Sequence, residues 1–230
     1  MCSIITVDYK FFTDNYEETV LQIYQEAVSN PHGMCMLIDN ETFIQSMDVE
    51  TIVELLEVVK WDRVWIHFRF ATGYKLGLNY THGFYTKDRK YMVMHNGVIP
   101  EGNGLPVDSM WLCNLIDTLG VDDAIEHMIC KLNFCNTFVV EVGNMDWHMV
   151  RCSSGTLHTD NNGNYSTHAI GAIKIPVVAN TFKSFIKPKA DPRAALKYNY
   201  TDYSRFDDEK WSSYKDDAMD YWNPPSYRVK

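Results

Sequence analysis

The apolar run Ser-Ile-Ile-Thr-Val at positions 3–7 has strand length and β-branched content, and predicts a buried strand just behind the second residue, Cys2. Asp14 followed by Glu17 resembles a capping-box start. From there Val20, Leu21, Tyr24, Ala27 and Val28 recur at helical spacing, predicting a helix to about Val28 that Asn30-Pro31-His32-Gly33 ends. A short apolar strand at 34–38 runs into an Asp39-Asn40 turn. Asp48 then opens a second helix with Ile52, Leu55, Leu56 and Val59 on one face. Residues 65–70, aromatic and β-branched, predict a strand that carries Arg69 toward the Gly-containing loop 71–74. Residues 91–94 predict another, ending in a His95-Asn96-Gly97 turn.

Beyond a Gly/Pro loop at 100–106, Asp108 opens a third helix over 110–119, which Gly120 ends, and 122–132 predict a fourth. The period then changes to that of strands, at 137–142, 147–152, 156–159 and 165–170, with turns rich in Gly, Asn, Asp and Ser between them. Strands, then helices, then a strand meander is an α+β pattern.

Composition narrows the field of functions. The chain has 230 residues, 46% of them hydrophobic, enough for one domain with a substantial core plus an appendage. Asp8, Lys10 and Asp14 interrupt any leader-like N-terminal run, and no apolar stretch approaches the ~18 residues of a membrane span, so a soluble cytoplasmic protein is expected, without a membrane partner. Eight acids and seven bases lie between 191 and 230, so all but one unit of the net charge of −9 resides in the body. Basic residues there do not cluster with aromatics, and nucleic acid is not an expected partner. Six cysteines (2, 35, 113, 130, 135, 152) form no CxxC pair; four lie in apolar runs and read as buried thiols. His and Cys show no metal-ligand spacing, and neither a metal nor a cofactor is expected. The tail from about Lys187 has few aliphatics but nine aromatics after Asp191. It reads as a separate arm (187–230) draped on residues 2–186, or as a partner-binding peptide.

Four segments carry the chemistry. Cys2-Ser3-Ile4-Ile5, His67-Phe68-Arg69-Phe70-Ala71-Thr72-Gly73, Thr81-His82-Gly83-Phe84 and His95-Asn96-Gly97-Val98-Ile99 occur in that order, with Asp108-Ser109 following. Together they resemble the class II glutamine amidotransferases among the N-terminal-nucleophile (Ntn) hydrolases, over roughly residues 2–140. The resemblance implies a four-layer αββα sandwich. It further implies glutamine hydrolysis to glutamate and ammonia by Cys2, exposed by loss of Met1, with its own α-amine as base. Asn96 and Gly97 would form the oxyanion hole. Arg69 would bind the substrate α-carboxylate and Asp108 its α-ammonium, with Phe70, Ala71 and His95 lining the substrate.

The plainer readings are an ion pair for Arg69, a hairpin turn for Asn96-Gly97 and a helix cap for Asp108. His67, His82 and His95 read as packing and orienting residues. Ser3 stands where the family commonly has Gly, Thr-His-Gly-Phe replaces Asn-Ala-His-Pro-Phe, and Met110 stands where a Glu is usual. The expected partners are L-glutamine or a related small amide, and an ammonia-accepting synthase. The alternatives are an Ntn amidohydrolase acting on another γ-glutamyl or small amide, and an inactive Ntn fold that serves in binding or regulation.

Overall fold

The computed structural model describes residues 2–71, 76–102, 104–133 and 135–186, with Cys135 by its backbone alone. The aromatic arm, Met1 and the loop residues Thr72, Gly73 and Tyr74 lie outside the described residues.

The strands are β1 (Ser3–Asp8), β2 (Met34–Ile38), β3 (Thr42–Ser46), β4 (Arg63–Phe68), β5 (Phe84–Tyr85), β6 (Tyr91–Gly97), β7 (Cys135–Glu141), β8 (Trp147–Arg151), β9 (His158–Thr159), β10 (Tyr165–Ser166), β11 (Ile175–Pro176) and β12 (Thr181–Phe185). The helices are α1 (Tyr9–Asp14), α2 (Tyr16–Ser29), α3 (Val49–Val58), α4 (Ser109–Leu119) and α5 (Val121–Lys131). Every strand pairing among the described residues is antiparallel. One sheet runs β11-β9-β10-β1-β4-β2-β3 and the other β12-β8-β7-β6-β5.

Side-chain alternation distributes these strands over three hydrophobic clusters. Ile4, Cys35, Leu37 and Trp65 from the first sheet meet Met92, Met94, Phe138, Val140, Trp147 and Met149 from the second. Their neighbours Ile5, Met36, Ile66 and Phe68 point the other way, onto Ile23 of α2 and Ile52, Val53 and Leu56 of α3. Val93, Val139 and Val150 do the same toward Leu112 and Ile116 of α4 and Ile125 and Met128 of α5. Strands covered on both faces need no polar side, which is why 3–7 and 34–38 read as unbroken apolar runs. Each such aliphatic side chain contributes about 1.5–3 kcal/mol on burial.

The first helical segment departs from the sequence pattern. Asp14 caps nothing; the chain turns straight from β1 into α1, and Asp8 accepts the Phe11 N–H at 2.7 Å. Asn15 breaks the helix, and α2 starts at Tyr16. The buried face of α2 is accordingly rotated: Thr19, Ile23 and Glu26 are buried, whereas Leu21 and Val28, expected inside, are 58% and 80% exposed. Asp14 pairs instead with exposed Lys10. Four short strands, β3, β5, β11 and β12, gave no sequence signal of their own, and residues 165–170 form a two-residue strand.

Cys35, Cys113 and Cys152 are buried free thiols, and Cys130 is exposed. No helix among the described residues is long and apolar enough to cross a membrane.

Asp8 also accepts from Asn164 Nδ2 at 3.1 Å and lies 3.6 Å from Arg63 Nη2. Asp8→Ala is therefore expected to destabilise the fold by about 1–2 kcal/mol in urea denaturation. Asp14→Ala, which removes a surface pair, should change stability by less than about 0.5 kcal/mol. Equal effects would restore Asp14 as the cap.

Candidate active site

Pairing of β1 between β4 and β10 decides where Cys2 sits. Ser3 lies opposite Phe68 and Ile4 opposite His67, so Cys2 falls beside the residues that follow β4. The Phe70 N–H donates to Cys2 Sγ at 3.2 Å, and the thiol reaches the Phe70 carbonyl at 3.6 Å. That segment is pinned from its other side. Arg69 N–H donates to the Gly33 carbonyl, His32 N–H to the Arg69 carbonyl, and Ala71 N–H to His32 Nδ1 at 2.8 Å. Gly33 is required there: its φ is +107°, and a Cβ would meet Thr81 Cγ2 at 2.3 Å. Arg69 is 6% exposed, and its charge acts on Cys2 and Asp108.

Asn96 and Gly97 do not form the turn expected of an Asn-Gly pair. They are the last two residues of β6, in register with Asn136 and Cys135, because β7 continues the ladder to the strand end. Gly97 has φ +152°. Asn96 is buried; its Nδ2 lies 3.5 Å from Thr167 Oγ1, and its Oδ1 has no hydrogen-bond partner among the described residues. The same Thr167 hydroxyl accepts the Ile4 N–H at 3.0 Å, and Thr167 N–H donates to the Ile4 carbonyl. Asn96, at the end of the second sheet, is thereby brought within two residues' reach of Cys2 in the first. Thr167 is a site residue that sequence reading missed. It lies 163 positions from Ile4, and no local pattern marks it.

Asp108 has the geometry of a cap. Its Oδ1 accepts the Ser109 N–H at 2.9 Å and its Oδ2 the Ile99 N–H at 2.8 Å, fastening the start of α4 to the end of β6.

Beneath these residues lies a buried histidine network. His67 Nε2 donates to the His95 carbonyl at 3.0 Å, which fixes its tautomer, since a carbonyl only accepts. His82 Nδ1, against His67 Nε2, is then an acceptor. His82 Nε2–H donates to Ser109 Oγ at 2.9 Å, and the Ser109 hydroxyl donates to His95 Nδ1 at 3.1 Å. This ordering leaves His67 Nδ1 as a bare lone pair and His95 Nε2 as an N–H, both buried and without a partner among the described residues. His95, expected to line the substrate, is 0% exposed and points into this network.

Burial holds all three rings neutral. The pKa of His67 is pushed down to about 3, that of His95 to about 4, and that of His82 well below its usual value, with the neighbouring rings and Arg69 adding repulsion at His67 and His82. Burial raises the Cys2 thiol, against the opposing pull of the Phe70 N–H and Arg69. The thiol is thus protonated at neutral pH, and no ring beside it is basic enough to take the proton efficiently. In space, one ring nitrogen each of His67 and His82 lies with Cys2 Sγ in a group whose members are all within 4.8 Å of one another; His82, His95 and Asp108 form a second such group. Linear spacing had suggested no such arrangement.

No protein-family profile matches the chain, nor does any curated protein. Forty chains of solved structures resemble it, among them these two. One is a glutamine phosphoribosylpyrophosphate amidotransferase from B. subtilis complexed with ADP and GMP, at 14% identity and TM-score 0.49. The other is an allosteric regulatory enzyme of purine biosynthesis, at 14% identity and TM-score 0.50. Each likeness covers 72% of this chain and 41% of the other, so this chain spans well under half the length of those proteins. At this identity the second likeness shows a shared fold.

The network has a consequence for stability. Histidines whose folded pKa lies below the unfolded value of about 6.5 contribute nothing unfavourable above it. As pH falls below about 6.5, the unfolded chain takes up protons that the folded chain refuses. Each such ring then lowers stability by about 1.4 kcal/mol per pH unit until its folded pKa is reached. Urea denaturation at pH 7, 6 and 5 should therefore show a steep fall, of more than about 1.4 kcal/mol per unit. A flat profile over that range would mean that the rings protonate freely in the folded state.

Proposed function

We propose that this chain hydrolyses the side-chain amide of glutamine, releasing glutamate and ammonia, with Cys2 as an N-terminal nucleophile. The observation that carries the reading is the convergence of Cys2, the Arg69-Phe70 segment and Asn96 at the meeting ends of β1, β4 and β6. The three stacked clusters, helices on sheet, sheet on sheet and sheet on helices, support the four-layer αββα arrangement that the motifs imply. In this reading residues 2–186 form the amidohydrolase domain and 187–230 an arm. The ammonia would pass to a partner synthase or to solvent.

The chemistry needs a base. A thiol raised by burial requires one, and the adjacent histidines are too weak. Loss of Met1 would supply an α-amine, with a reference pKa near ~8, on the nucleophile's own residue. It takes the thiol proton as sulfur bonds to the amide carbon. The carbonyl oxygen becomes an oxyanion, held by the Asn96 carboxamide and the Gly97 N–H. Collapse expels ammonia, protonated by the same amine, and leaves a thioester. Water, deprotonated by the amine, then releases glutamate and restores the thiol. Arg69 holds the α-carboxylate as a planar donor pair. Phe70, which is 39% exposed, and Ala71 line the approach to the thiol.

One observation favours a second reading. Both Asp108 carboxylate oxygens already accept backbone N–H groups, so this residue has less to offer a substrate ammonium than the motif implies. A related γ-glutamyl or small amide without that demand would suit the same nucleophile.

Ammonia release from L-glutamine tests the proposal. The active protein should start at Cys2 by intact mass, and Cys2→Ala should fold normally but lose turnover. A glutamine-like diazoketone should label Cys2, whereas burial protects Cys35 and Cys113, the latter with its thiol pushed up to about 12. Full activity in protein that retains Met1 would sink the mechanism.

Asn96 and Arg69 should separate kinetically. Asn96→Ala removes a donor used mainly in the transition state and should lower kcat by about 10²–10³ with KM little changed. Arg69→Ala should chiefly raise KM for glutamine. An unchanged KM in Arg69→Ala, with activity on other amides retained, would favour the second reading.

A further inference from the structure

The mechanism leaves the inner side of Cys2 unused. Cys2 Sγ and one ring nitrogen from each of His67 and His82 lie within 4.8 Å of one another, a thiol and two imidazoles from three separate segments. A zinc-type ion, with Zn–S about 2.3 Å and Zn–N about 2.0–2.1 Å, sets tetrahedral ligand atoms roughly 3.5 Å apart. Closing the three onto one ion requires about an ångström of side-chain movement.

His67 is prepared for such a role. Its Nε2–H is held by the His95 carbonyl, and its Nδ1 is a fully buried lone pair with no hydrogen-bond partner among the described residues. A ring with one nitrogen fixed on a backbone carbonyl and the other bare is the arrangement that orients metal-ligating histidines. An unsatisfied buried acceptor is costly, and a bound ion would relieve that cost. His82 Nδ1 carries the second lone pair, which now faces His67 Nε2, so an ion bound there takes the place of that contact. The neighbouring group of His82, His95 and Asp108 is the weaker candidate. His82 Nε2 and His95 Nδ1 are both bonded to Ser109, and Asp108 is taken up by two N–H groups. Around Cys2, Arg69 and Asp108 act with opposite signs and partly offset each other.

We propose that Cys2, His67 and His82 form a binding site for a thiophilic divalent cation of the zinc type. On binding, the thiol proton leaves to solvent, sulfur becomes a thiolate ligand, and water or the freed α-amine of Cys2 takes the fourth position. The site is therefore an inhibitory one. The binding stands independently of the glutaminase reading; only the inhibition rests on it.

Cobalt(II) serves as the probe, titrated into chelator-treated full-length protein and followed by absorbance, with Zn²⁺ as competitor. One equivalent should bind, with a sulfur-to-cobalt charge-transfer band. Cys2→Ser should lose that band, and His82→Gln should weaken binding by more than about 10-fold. Cys130→Ser, at the exposed thiol, should leave the titration unchanged. In wild-type protein, which avoids any folding defect of a variant, Zn²⁺ should protect Cys2 from iodoacetamide as mapped by mass spectrometry. A band that survives Cys2→Ser or vanishes in Cys130→Ser, or Cys2 alkylation indifferent to Zn²⁺, overturns the site. Chelator-treated protein that turns over glutamine but binds no cobalt refutes the metal site alone. Cobalt bound through Cys2 in protein without turnover supports the site and refutes the glutaminase reading.

Discussion

The placement of β1 between β4 and β10 is the constraint on which the rest of this structure depends. Ile4 and Ile5 are both fully buried, one between the sheets and one beneath the helices, so the strand is held on two faces and along two edges. The reciprocal bonds between Ile4 and Thr167 close its register at the end that carries Cys2. A slip by one residue would turn Ile4 out of the inter-sheet core and carry Cys2 away from Phe70. The residue before β1 is thereby drawn against the sheet, and the Cys2 thiol gains a defined neighbourhood.

That neighbourhood is built on a polar network under an apolar roof. Three imidazoles and one hydroxyl share their hydrogen bonds in a single direction, from His67 through His82 and Ser109 to His95. Such an arrangement is economical in partners but leaves a bare nitrogen at one end and an N–H at the other. Networks of this kind in low dielectric specify one geometry strongly while storing unsatisfied polarity. The site accordingly combines rigidity with an unsatisfied buried nitrogen on His67. The same burial that keeps the rings neutral disqualifies them as bases.

Burial also explains why the proposed chemistry turns on processing. A thiol pushed upward by desolvation is a poor nucleophile until a base takes its proton, and the nearest rings cannot serve. An α-amine on the same residue is the one base whose position is guaranteed by covalent geometry. Asp108, by contrast, is occupied in joining α4 to the end of β6, so its contribution is chiefly to position the Asn96-Gly97 segment.

The sequence by itself determined the buried strands at 3–7 and 34–38, most of the strand read at 65–70, which ends at Phe68, the helices after Asp48 and Asp108, and the order of the four motif segments, because these rest on local periodicity and local capping. It misled where a local signal had a competitor nearby. Asp8 outbid Asp14 as a helix cap because the strand delivers it in extended conformation directly before the turn. Asn96-Gly97, a hairpin signal in isolation, stayed in the ladder because β7 was there to pair with it. Only the tertiary structure decided the role of Thr167, the joining of His67, His82, His95 and Ser109 into one network, and the approach of two imidazoles to Cys2. Those contacts link residues up to 163 positions apart, and they arise from sheet register and sheet-on-sheet packing, to which no window along the chain has access.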